Sequence, residues 1–210
     1  MDTHLQRDDV ERYFGASFER IEKFATNLAH EGEKRGLIGP RELDRLWDRH
    51  ILNSAAVVPF IPEGSSVADL GSGAGLPGLV IACMRPEAHV RLVEPMERRC
   101  VWLEEMVETL DLDNVEVLRG RAEEFHGAFT VDVVTARAVA ALDKLSRWAL
   151  PLLEPQGMLV LLKGRNVAAE VDPARKVFRK YSMGEPVISS APTLEQVEPT
   201  TVVTVARQGV

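Results

Sequence analysis

The sequence predicts an open, doubly wound α/β sheet with a helical extension before it and an antiparallel pair of strands at its end. Three observations carry this expectation. Residues 67–79 read as an apolar run ending in an acid, three alternating glycines, and a segment with proline near its start, as a strand, tight loop and helix would. Four further apolar runs alternate with helical patterns behind it, as parallel strands joined by crossover helices would. The last two apolar runs are joined by a proline-bearing stretch too short for a helix, so they must pair antiparallel.

In chain order, Val10, Phe14, Phe18, Ile21, Phe24 and Leu28 recur at three- and four-residue steps and predict one amphipathic helix over 10–28. Gly32 and Gly36 end it, and Pro40 suits the first turn of a second helix carrying Leu43, Leu46 and Trp47. Repeats and low-complexity linkers are lacking, so residues 1–58 are expected to pack as an extension on a compact domain over 59–210. After the glycine loop come a helix over 79–84, a strand over 90–94, a helix over 98–110 and a strand over 114–118. A strand over 131–135 runs on into Ala136-Arg137-Ala138, followed by a helix over 142–152, a strand over 158–162 and a helix over 168–181. Short strands near 186–189 and 201–207 close the chain.

The strand ends bring Asp69, Glu94, Arg137 and Lys163 to one sheet edge, the edge at which open α/β sheets hold ligands. Gly71, Gly73 and Gly75 remove the Cβ atoms that would keep a ligand off the backbone, and the helix N-terminus behind them favours an anionic group. Two cofactors fit the loop. Gly73, Gly75 and Gly78 have the GxGxxG spacing of a dinucleotide site, whereas Asp69 followed by Gly71, Gly73 and Gly75 suits S-adenosylmethionine. Glu94 lies about twenty residues on, the distance at which such a unit returns a carboxylate to a ribose. Glu123, in the loop 119–125, could accept from an adenine amine.

A net charge of −7 over 210 residues argues against a sequence-blind nucleic-acid coat. Any RNA contact must be local, with Arg41, Arg45 and Arg49, Arg119 and Arg121, Lys163 and Arg165, and the basic residues of 175–180 as candidates. Cys83 and Cys100 sit in apolar helical patterns without CxxC spacing and read as buried free thiols, and no metal site is expected. The N-terminus lacks a secretory pattern and no apolar run reaches membrane-spanning length, which predicts a cytoplasmic protein, expected to be a monomer.

Alternating strands and helices with a final antiparallel pair suggest the class I S-adenosylmethionine-dependent methyltransferase fold, a Rossmann-like seven-stranded sheet. Here the chain resembles the ribosomal RNA small subunit methyltransferase G family, once called glucose-inhibited division protein B. The resemblance rests on Arg49-His50-Ile51-Leu52-Asn53-Ser54, the loop 69–78 with Leu76-Pro77-Gly78 directly behind its glycines, Arg85-Pro86, Arg137-Ala138 and Leu162-Lys163-Gly164. Asn53 departs from it, since the family usually has aspartate there. The resemblance implies S-adenosylmethionine-dependent methylation of guanine N7 in a hairpin loop of 16S rRNA close to the decoding centre. By matching positions it places Gly71, Leu76, Ala122, Glu123 and Arg137 on the cofactor.

The chemistry is compatible. Exocyclic-amine methylation commonly uses an Asn/Asp-Pro-Pro-aromatic motif after the fourth strand, where this chain has Thr135-Ala136-Arg137-Ala138. Pyrimidine C5 methylation needs a nucleophilic cysteine, and neither cysteine ends a strand. Guanine N7 offers an in-plane lone pair and no proton, so no general base and no certain catalytic residue are expected. Arg137 is then expected to hold the methionine carboxylate or a target phosphate, with Lys163 and Arg165 guiding the RNA and Arg49 and His50 forming a substrate-facing wall. The rivals are a small-molecule methyltransferase of the same fold, an NAD-dependent oxidoreductase and a non-catalytic RNA-binding module.

Overall fold

A computed structural model describes residues 1–207. Seven strands form one sheet: β1 (Ser66–Leu70), β2 (His89–Glu94), β3 (Val115–Arg119), β4 (Val131–Arg137), β5 (Leu153–Lys163), β6 (Val187–Ala191) and β7 (Thr200–Ala206). Their order is β3-β2-β1-β4-β5-β7-β6. The first five pair in parallel, while β7 runs antiparallel to both β5 and β6. The chain reverses its direction of travel across the sheet between β1 and β4, so the crevice outside their carboxyl ends is the topological switch point.

Successive strand residues face opposite sides, and the core divides accordingly. Val67 and Leu92 belong to one apolar cluster with α4 (Gly78–Met84) and α5 (Glu97–Thr109). Ala68, Leu70 and Val93 belong to a second, with α6 (Leu142–Ala149) and α7 (Ala168–Lys180). Covering both faces is what permits nearly continuous apolar strands. Asn114 fixes the spacing between α4 and β3: its side-chain amide donates towards the carbonyls of Ala82, Arg85 and Ala88, capping the end of α4.

The N-terminal segment differs from expectation. The helix predicted over 10–28 is two helices, α1 (Arg7–Phe14) and α2 (Phe18–Glu31), because Gly15 takes a φ of +51° at the end of α1 and a short 3-10 turn re-aims the chain. The apolar period survives the break, and its residues join the same cluster as Val67 and Leu79. The second helix is also irregular: a 3-10 turn over Pro40–Arg45, a π-helical turn over Trp47–Leu52, then a single α-turn, α3 (Asn53–Ala55). Asp2 caps the π turn, its carboxylate accepting from the amides of Trp47 and Asp48 at 3.2 and 2.8 Å. Phe18 stacks on Trp47, which ties α2 to that turn. Elsewhere the boundaries move by a few residues, most at β5, which begins at Leu153 across from a register shift in β4. Both cysteines are buried and free, and among the described residues no helix is long and apolar enough to cross a membrane.

Candidate active site

The glycine loop is shaped from below, beside and above. The amides of Gly71 and Ser72 donate to the carbonyl of Val93, and those of Gly75 and Leu76 donate to the carbonyl of Ser72, so the chain reverses at the sheet edge. Gly71, Gly73 and Gly75 all have positive φ. The Trp102 indole on α5 donates to the carbonyl of Ala74 at 3.0 Å. Beneath the loop, Asp69 is fully buried and its Oδ2 accepts from the amide of Gly78 at 3.0 Å, while Oδ1 has no partner. Asp69 therefore braces the loop from inside and does not face the cleft.

Burial pushes the Asp69 carboxyl up to about 7, against the pull of the Gly78 amide. The folded protein then keeps a proton that the unfolded chain releases near 3.8. Because the native state binds more protons in that window, stability falls as pH rises, by at most about 1.4 kcal/mol per pH unit for one group. The difference in unfolding free energy between the wild type and Asp69→Asn should decline from pH 4 to pH 7 and then level off. Denaturant titrations across that range would refute the protonated form by giving a constant difference.

Glu94 is placed beside the loop, on the same cleft, as the spacing predicted. Its carboxylate is 2 % exposed; Oε2 accepts from the amide of Gly73 and Oε1 from that of Met96, both at 2.9 Å. One loop amide is thus already held by an acid, and Glu94 shapes the cradle as well as lining it. The cleft encloses about 530 Å³ between the loop, Glu94, Met96, Arg99, His50 and Arg137. An adjoining slot of about 190 Å³ lies between Val93, Ala122, Glu123, Val139 and Trp148. Val139 lines both, over Gly71. Gly71, Gly73 and Leu76 line the cleft, whereas Gly75 is buried and packs against Leu79.

Arg137 leaves β4 just before Ala138, which has a φ of +57°. Its Nη1 donates to the carbonyl of Arg49 at 3.0 Å and to Asn53 Oδ1 at 3.2 Å, and Nη2 donates to His50 Nδ1 at 2.8 Å. All three partners are neutral. Burial pulls the guanidinium down to about 10, and no carboxylate lies within hydrogen-bond distance among the described residues. A cation largely withdrawn from water, on which the carboxylates of Asp69 and Glu42 act only through space, and with two of its five N–H groups unused, is poised for an anionic, bidentate ligand. Asn53 also donates to Thr200 Oγ1 at 2.9 Å, joining this corner to β7.

Lys163 requires correction. Its place at the strand end suggests guidance of RNA, but its ammonium points inward, donating to the carbonyl of Ala140 at 2.8 Å and pairing with Glu170 at 2.7 Å. Glu170 also accepts from the Leu142 amide, so the pair fastens the loop that carries Val139. Lys163→Met should cost about 1–3 kcal/mol and weaken cofactor binding without changing the salt dependence of RNA binding. Melting curves and RNA titrations at several salt concentrations check this; a shallower salt slope would restore the RNA role. Arg165 and Arg49 stay exposed, beside a groove of about 290 Å³ that also contains Glu42, Asp48 and Glu198. Arg165 pairs with Glu198, and Arg49 lies 3.7 Å from Glu42.

Sequence reasoning missed Glu42, Trp102 and Val139: the last two act on partners far along the chain, and Glu42 reaches the distant Arg137 only through His50. No group of metal-ligating side chains occurs among the described residues. Both nitrogens of His50 are engaged, Nδ1 by Arg137 and Nε2 by Glu42 at 3.1 Å, so the ring is not free to shuttle protons.

A family model described as rRNA small subunit methyltransferase G matches residues 17–196. A protein of Beutenbergia cavernae named ribosomal RNA small subunit methyltransferase G is 50 % identical over 194 residues, covering 92 % of each chain. One of the same name from Thermobifida fusca is 53 % identical over 176 residues, covering 83 % of this chain and 74 % of its own. Among solved structures, M. jannaschii TYW2 in complex with AdoMet aligns with a TM-score of 0.59 at 15 % identity, over 75 % of this chain and 74 % of that one. A precorrin-6y C5,15-methyltransferase from Geobacter metallireducens aligns at 0.55 and 13 % identity, over 74 % and 87 %. At such identities the structures speak for the fold.

Proposed function

The chain belongs to the ribosomal RNA small subunit methyltransferase G family, and from that premise we propose that it methylates N7 of a guanine in 16S rRNA, close to the decoding centre, using S-adenosylmethionine. The observation that carries the cofactor assignment is Arg137, a half-buried cation whose hydrogen-bond partners are all neutral, across the cleft from the glycine loop. When bound, the cofactor supplies an electrophilic methyl group on a sulfonium.

The residues divide the remaining work. Arg137 takes the carboxylate of the amino-acid end, and the loop at Gly71, Gly73 and Leu76 lets the ligand approach the backbone. Asp69 and Gly75 act behind the loop by holding its shape. Glu94, whose oxygens retain lone pairs after accepting two amides, takes the ribose hydroxyls. The slot at Ala122 and Glu123 takes the adenine, with apolar walls for its faces and a carboxylate for its amine. Transfer to N7 then needs alignment alone, which suits a cleft whose histidine is engaged at both nitrogens. Arg49 and Arg165 at the neighbouring groove contact the RNA backbone. Residues 1–58 serve as the extension that builds this wall, and the enzyme acts as a cytoplasmic monomer.

The test is transfer of a labelled methyl group to unmodified small ribosomal subunits, with the product mapped by N7-specific strand cleavage. Label at a ring carbon or ribose oxygen would overturn the chemistry. Transfer to metabolites without RNA would favour a small-molecule enzyme.

A further inference from the structure

Arginine has donors and no acceptor, so the 2.8 Å contact between Arg137 Nη2 and His50 Nδ1 requires a lone pair on Nδ1. The ring proton must then sit on Nε2, where Glu42 Oε2 accepts it at 3.1 Å. Burial and the charge of Arg137 keep this imidazole below its ordinary value, in the neutral form the contact needs. The other oxygen of Glu42 faces the Arg49 guanidinium, which limits its rotation.

We propose that Glu42, acting through His50, is a positioning residue: it fixes the imidazole tautomer that orients Arg137 towards the cofactor's carboxylate. This rests on the cofactor reading above. Without Glu42, the ring can carry its proton on Nδ1, where two donors would oppose each other and turn the guanidinium away. The N-terminal segment therefore helps to set the grip on the cofactor, although Glu42 lies on a 3-10 turn outside the sheet. The π turn contributes in the same direction, since the Arg49 carbonyl that receives Arg137 belongs to it.

The experiment is calorimetric titration of wild type, Glu42→Ala and Glu42→Gln with two ligands, S-adenosylhomocysteine and methylthioadenosine, the second lacking the amino-acid end. Glu42→Ala should weaken S-adenosylhomocysteine by about tenfold, the loss expected for loosening one charge-assisted hydrogen bond, and leave methylthioadenosine unchanged. Glu42→Gln keeps an acceptor for Nε2 and should recover most of the affinity. In an Arg137→Ala background Glu42→Ala should add nothing. Equal weakening of both ligands, or of neither, would overturn the proposal while sparing the cofactor reading. A wild-type protein that binds neither ligand would overturn the cofactor reading and this inference with it.

Discussion

Arg137→Ala is expected to reduce methyl transfer by at least about a hundredfold, the scale of losing a charged, pre-aimed hydrogen-bond donor in a desolvated site. The fold should survive. The substitution leaves three neutral acceptors without a donor, at about 1–3 kcal/mol, but it also removes a desolvated cation that no carboxylate bonds directly, which offsets part of that cost. Asn53 keeps Thr200 as a partner, so the corner between α3 and β7 does not come apart. Arg137→Lys should fall close to the alanine variant, because an ammonium cannot satisfy three acceptors set around a planar fork and still present two parallel donors. Labelled-methyl transfer gives the activity, and circular dichroism melting shows whether the loss is local. Near-normal turnover in either variant would remove Arg137 from the site.

Gly75→Ala should be the most disruptive single-methyl change among the three loop glycines of positive φ. Its φ of +97° disfavours any side chain, and a Cβ there would lie 2.3 Å from Leu79 Cδ1 and 2.8 Å from its Cγ. Leu79 is itself fully buried against the sheet, so the loop must move instead. We expect a loss of about 2–4 kcal/mol and no measurable S-adenosylhomocysteine binding, since the displaced backbone is the floor of the cleft. Gly73→Ala is the control. Its φ is +56° and the nearest atom to a Cβ is 3.6 Å away, which leaves only backbone strain of about 1–2 kcal/mol. Equal melting temperatures for the two variants would show that packing behind Gly75 does not govern the loop.

The pattern of apolar runs was enough to read the sheet, its parallel crossovers and the antiparallel β6-β7 pair, because strand and helix periods are local properties of the chain. The glycine loop was legible for the same reason, and so were the positions of Glu94 and Arg137 at strand ends. Less legible was the N-terminal segment: its apolar period runs unbroken through Gly15, so the period that marked a helix concealed a joint within it. The π turn has no signature of its own in residues 47–52, where its amides are held by Asp2 from the far end of the segment.

By itself, then, the sequence determined the class of fold, the edge of the sheet at which the cleft opens and the residue types gathered there. Only the tertiary structure decided what each side chain does at that edge. Asp69 turns under the loop, Lys163 turns inward to fasten the strand-β4 exit, and Arg137 meets His50, its neighbour in space across 87 positions of chain. Spacing along the chain sets which face of an element a residue occupies, but a hydrogen bond or ion pair forms only with whatever group the packed core brings within about 3 Å, and that partner is fixed by the assembly of distant elements.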